Sequence, residues 1–125
     1  MARILVVDDQ PHWTLCLEVF LSRQGHEVTR ASDGVAALRM FQHRSFDVLI
    51  TDVDMPNMDG LTLVKQATEK HRLKGVIVLT GRTDFETVAA ATLPASPVQV
   101  LPKPISPSRL ATLVDGFLAE NPVPS

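Results

Sequence analysis

The chain has little cysteine: Cys16 is the only one among 125 residues. A single thiol excludes an internal disulfide and fits a reducing compartment. Long apolar runs are missing too. The longest uncharged stretch, Thr87 to Pro102, is broken by Pro94, Pro97 and Pro102 and carries Ser96 and Gln99. A membrane-spanning helix needs about 20 apolar residues, so this stretch is no candidate. Behind Met1-Ala2-Arg3, the apolar run Ile4 to Val7 is too short for a signal peptide and stops at Asp8-Asp9. Nor is positive charge in excess. Twelve Lys and Arg stand against 14 Asp and Glu, for a net charge of -2, which gives no electrostatic reason for binding nucleic acid. These absences set an expectation of a soluble, cytoplasmic protein with no membrane or direct nucleic-acid partner.

What is present is a compact apolar pattern. A hydrophobic share of 45% and a charged share of 21% suit one globular domain with a real core. That domain is expected over residues 1–120, with 121–125 as a tail or the start of a linker. Ile4-Leu5-Val6-Val7 reads as a buried strand, followed by a helix from Pro11 that stops near Gly25. Glu27 to Ala31, Val48 to Thr51, Val76 to Thr80 and Val98 to Lys103 read as further strands. Val35 to His43, a stretch from Leu61 ending between Lys70 and Lys74, Asp84 to Thr92, and Ser106 to Glu120 read as helices. Five strands alternating with five helices imply an α/β fold, a parallel sheet covered on both faces. The flavodoxin-like, doubly wound order 2-1-3-4-5 suits that count. It also places Pro102 on an edge strand, where its missing N–H is tolerated.

The strand ends carry the chemistry. Asp8-Asp9, Asp52, Thr80 and Lys103 follow the first, third, fourth and fifth apolar runs. In a parallel sheet those positions converge at one edge. Three carboxylates brought together repel one another and call for a counter-cation, and an all-oxygen donor set is what Mg²⁺ prefers. A hydroxyl and an ammonium beside that ion form a receptor for a phosphoryl group, with a carboxylate as covalent acceptor. Each residue also has a structural reading. Asp8 or Asp9 caps the first helix, Asp54 through Gly60 is a turn, and Lys103 is a solvated charge on an edge. It is their coincidence at one end of successive strands that favours the chemical reading.

The set Ile4-Leu5-Val6-Val7-Asp8-Asp9, Asp52 with Met55-Pro56 and Asp59-Gly60, Val78-Leu79-Thr80-Gly81, and Lys103-Pro104 resembles the receiver domain of two-component response regulators. The layout is nearest to the single-domain, chemotaxis-type members, and the likeness runs from Arg3 to about Leu118. The resemblance implies that Asp52 accepts a phosphoryl group from a sensor histidine kinase or a histidine phosphotransfer protein. It implies Mg²⁺ held by Asp9 and Asp52, by Asp8 mainly through water, and by the backbone carbonyl of Asp54. Thr80 and Lys103 would each hold a phosphoryl oxygen, the Lys103–Pro104 bond would be cis, and a downstream protein would read the altered surface. Such a domain is a switch rather than an enzyme, limited to self-phosphorylation and self-dephosphorylation.

Three positions depart from the family pattern or tune it. Val100 stands where the family usually carries Tyr or Phe, so the aromatic part of the usual readout is missing. Asp54 and Arg82 occupy loop positions that, in the family, set the rate of dephosphorylation, and a pair between them would hinder the attacking water. Asp52-Val53-Asp54 also opens like the Asp-x-Asp-x-Thr/Val motif of haloacid-dehalogenase phosphatases. Pro56 stands where that motif has Thr or Val, and the acidic pair precedes Asp52 instead of following it. A receiver module cut from a larger hybrid kinase or transcription regulator is the further alternative. His12, His26, His43 and His71 lack ligand spacing, while Cys16 and Trp13 are expected to pack.

Overall fold

The computed structural model describes residues 2–55, 57–81 and 98–120. The expected helix from Asp84 to Thr92, Arg82 with its proposed pair to Asp54, Pro56 and the tail lie outside these. Within them the order is β1 (Arg3–Val7), α1 (Pro11–Arg23), β2 (Glu27–Ala31), α2 (Gly34–His43), β3 (Val48–Asp52), α3 (Gly60–Lys70), β4 (Gly75–Thr80), β5 (Val98–Pro102) and α4 (Pro107–Glu120). All pairings are parallel, in the order β2-β1-β3-β4-β5. Pro102 closes the edge strand β5, as its chemistry requires.

Side-chain alternation along the strands splits the core in two. Ile4, Val6, Ile50, Ile77 and Leu79 face Leu17 and Leu21 of α1 and Leu110, Val114 and Phe117 of α4. Leu5, Val7, Leu49, Val76 and Val78 face Ala37 and Phe41 of α2 and Leu63, Val64 and Ala67 of α3. With both faces covered, β1, β3 and β4 read as unbroken apolar runs. Asp33 and Asp59 cap α2 and α3, accepting from the N–H groups of Ala36 and Thr62 at 2.8 Å each. Cys16 corrects the expectation of packing. The inner line of α1 is Thr14, Leu17 and Leu21, and Cys16 falls outside it, exposed. Trp13 does pack, partly buried against the first cluster. Among the described residues no helix is long and apolar enough to cross a membrane.

Candidate acidic phosphoryl-acceptor site

Hydrogen bonds running past the strand ends fix the site. Asp8 donates its N–H to the Ala31 carbonyl at 3.1 Å, Val53 to that of Leu79 at 3.0 Å, and Lys103 to that of Thr80 at 2.8 Å. The residues just beyond β1, β3 and β5 are therefore hydrogen-bonded to the neighbouring strands, as those within them are. Asp52 is the last residue of β3, one later than periodicity predicts, and its backbone stays in register with Leu79. Gly60 is dictated by this geometry. Its N–H donates to the Val53 carbonyl at 2.8 Å, and an added Cβ would overlap the Asp52 carbonyl oxygen. Gly60→Ala is expected to lower stability by about 1–3 kcal/mol, read from the urea midpoint, because backbone rather than a flexible side chain must yield.

The expected residues do meet. Asp8, Asp9 and Asp52 each offer a carboxylate oxygen, all within 4.8 Å of one another. Asp8 and Asp52 are buried while Asp9 is exposed. Neither aspartate caps α1. Gln10 occupies that position without a side-chain cap, and Asp8 Oδ1 instead accepts the Gln10 N–H at 3.0 Å. Lys103 is no solvated edge charge. Its Nζ donates to Asp8 Oδ2 at 3.1 Å and lies 3.2 Å from Asp52 Oδ2. The Lys103–Pro104 peptide is cis. Thr80 is buried at the end of β4. Beside Asp8 and Asp9 a cleft of about 630 Å³ opens past Thr14, Glu18 and Arg30 along the edge strand β2.

Burial pushes the Asp52 carboxyl above its ordinary range and the nearby Asp8 charge adds to that, against the charge and hydrogen bond of Lys103. The Asp54 backbone N–H also bonds Asp52 and favours its charged form. For Lys103, burial alone would disfavour the cation. The hydrogen bond to Asp8 and the charges of Asp52 and Asp8 overcome this, so its pKa is raised. The site thus concentrates negative charge in a partly dry place with one ammonium set against it. Hard oxygen donors at this spacing fit Mg²⁺, which takes one or two carboxylates plus waters.

One interaction escaped the sequence reading. Asn57, in left-handed backbone at φ 69°, donates from Nδ2 to Asp33 Oδ2 at 3.1 Å. An Asn in a loop signals tolerance of that conformation, but nothing in the sequence names its partner. His26, set aside as a ligand, is a buried strut. Its Nδ1 accepts the Ala2 N–H at 3.1 Å, and burial lowers its pKa against the opposing charge of Asp115.

Comparison with known proteins agrees with this geometry. The family model described as "Response regulator receiver domain" matches residues 4–115. The alkaline phosphatase synthesis transcriptional regulatory protein PhoP of Bacillus subtilis is 30% identical over 122 residues, covering 97% of this chain and 50% of PhoP. The chain therefore spans half the length of that relative. The chemotaxis response regulator CheY4 of Vibrio cholerae superposes with a TM-score of 0.81 at 31% identity, over 94% of this chain and 99% of CheY4. The response regulator TrrA of Thermotoga maritima, solved with Mg²⁺ and BeF, gives 0.79 at 28% identity over 94% and 100% of the two chains.

Proposed function

Since the chain belongs to the response regulator receiver family, we propose that it is a phosphoacceptor switch of a two-component system, with Asp52 as acceptor. One observation carries the reading: Lys103 Nζ bridges Asp8 and Asp52, so acceptor, counter-cation and acidic cluster form one unit. An Asp52 carboxylate oxygen attacks phosphorus. A P–O bond forms as the P–N bond of a donor phosphohistidine breaks, and the imidazole leaves with the bonding pair. Asp9 and Asp52 would hold a magnesium ion directly, Asp8 would act mainly through water, and the Asp54 backbone carbonyl would be the remaining protein ligand. When bound, the ion supplies positive charge against the phosphoryl oxygens. Thr80 takes one of those oxygens by hydrogen bond and Lys103 pairs with another, exchanging its partner Asp52 for the phosphoryl group. Domain 1–120 passes the change to a downstream protein in the cytoplasm.

Val100 bears on the readout. It is partly buried beside the second cluster and in register with Val78, so no aromatic ring is present there to swing inward. The Thr80 hydroxyl carries the signal, without an aromatic rotamer change.

Two measurements test the reading. Mg²⁺ at roughly tenfold over its dissociation constant should stabilise the protein by about 1.4 kcal/mol, seen as a rise in melting temperature that Ca²⁺-free chelator reverses. Acetyl phosphate with Mg²⁺ should leave a stoichiometric acyl-phosphate label. Steady turnover of a phosphate monoester without such a label would instead favour the haloacid-dehalogenase reading.

A further inference from the structure

The loop leaving Asp52 is tied down by residues outside the acidic cluster of Asp8, Asp9 and Asp52. Its two ends are fixed by the Val53 and Gly60 hydrogen bonds to the Leu79 and Val53 carbonyls. Its middle is fixed by α2. Asp33 divides its oxygens, Oδ1 accepting the Ala36 N–H at 2.8 Å and Oδ2 the Asn57 amide at 3.1 Å. Those two donors hold the Asp33 carboxyl below its usual range, the Ala36 N–H foremost, so the acceptor is a carboxylate and the bond is charge-assisted. The next residue, Met58, lies against Gly34, where an added Cβ would come within 2.9 Å of the Met58 Cβ. A polar contact at Asn57 and an apolar one at Met58 thus pin two adjacent loop residues to the start of α2. The other limb of that loop carries Asp54, whose backbone N–H bonds the Asp52 carboxylate.

We infer that Asn57 and Asp33 are positioning residues, a latch through which the start of α2 holds the loop backbone at Asp54 in place around Asp52. Neither residue touches the acceptor or the acidic cluster. They act by sparing the loop the ordering it would otherwise undergo when the site binds a cation. The inference rests on the proposed Mg²⁺-dependent acceptor role, and the test separates the two.

In Asn57→Asp the residue still tolerates left-handed backbone, but it loses the donor and sets a carboxylate against Asp33. Mg²⁺ affinity, measured by calorimetry on the whole chain, should fall about three- to tenfold, the worth of one net hydrogen bond. Without the latch the added negative charge would tighten Mg²⁺ binding, so the sign discriminates. In the double variant Asp33→Asn/Asn57→Asp the charge matches the wild type and the bond is remade with Asn as donor. Asn caps a helix as well as Asp does. Affinity should return to within about twofold of wild type. Melting temperature without Mg²⁺ is recorded for all three proteins, and an unfolded Asn57→Asp is replaced by Asn57→Gly, which removes the donor without strain. Unchanged or tighter Mg²⁺ binding in the single variant, or no recovery in the double, overturns the latch. A wild-type protein that binds no Mg²⁺ overturns the acceptor reading instead.

Discussion

Replacing Lys103 with alanine should destabilise the metal-free protein by about 2–3 kcal/mol at pH 7. Breaking a buried pair leaves its partner charge uncompensated, at about 3–5 kcal/mol. The lower figure follows because the Lys103 side chain is 28% exposed, while Asp8 and Asp52 are 2% and 9% exposed. The pH dependence is specific. Without the ammonium, the folded-state pKa of Asp52, already raised by burial, rises further above its unfolded value of about 3.9. The folded variant then binds more protons than the unfolded chain, so its stability falls as pH climbs from about 4 towards 7. On the alkaline side, the Lys103 pKa is raised in the folded wild type. Its contribution is complete below the unfolded value of about 10.4 and is lost as pH passes the folded one. The difference between wild type and variant should therefore be bell-shaped in pH, widest near neutrality. Urea unfolding across pH measures it, and a pH-independent difference would mean that Lys103 contributes packing rather than charge.

Asp52→Asn should act in the opposite direction on stability while abolishing function. Burial raises the Asp52 pKa above its unfolded value, so ionisation of this group opposes folding at neutral pH. An amide of the same shape removes that opposition, and Lys103 keeps Asp8 as partner at 3.1 Å. The metal-free variant should gain stability at pH 7, and the gain should fade as pH falls through about 3.9 and vanish well below it, where Asp52 is protonated in both states. Added Mg²⁺ should narrow or reverse the gain, since the wild type binds the cation with one more charge. A variant less stable than wild type at pH 7 in chelator would show that the Lys103–Asp52 attraction outweighs the cost of burial.

Stability here is spent on charge concentration, and the sequence carries that design openly. Apolar runs each closed by a polar residue announce a parallel sheet whose tips gather Asp8, Asp9, Asp52, Thr80 and Lys103. Pro102 independently marks the last strand as an edge. What periodicity does not carry is the direction of adjacent side chains after a strand ends. Asp8 turns inward and Asp9 outward, a choice made by the β1–β2 ladder continuing to Ala31 and by the Gln10 N–H. Nor does local pattern pair residues far apart in sequence. The Lys103–Asp8 bond spans 95 positions and the Asn57–Asp33 bond 24. The α1 surface departs from expectation at Cys16 for a related reason, since its apolar residues continue past the buried line to exposed Leu15 and Val19.

The central claim is that Asp52 is written upon once, in a reaction that needs Mg²⁺. Intact-mass spectrometry of the chain treated with acetyl phosphate, followed by peptide mapping, tests it directly. With Mg²⁺ the account predicts the mass gain of a single phosphoryl group, located on Asp52, absent in chelator and absent in Asp52→Asn. A label that persists in Asp52→Asn, or that forms on Asp52 equally well in chelator, would contradict it.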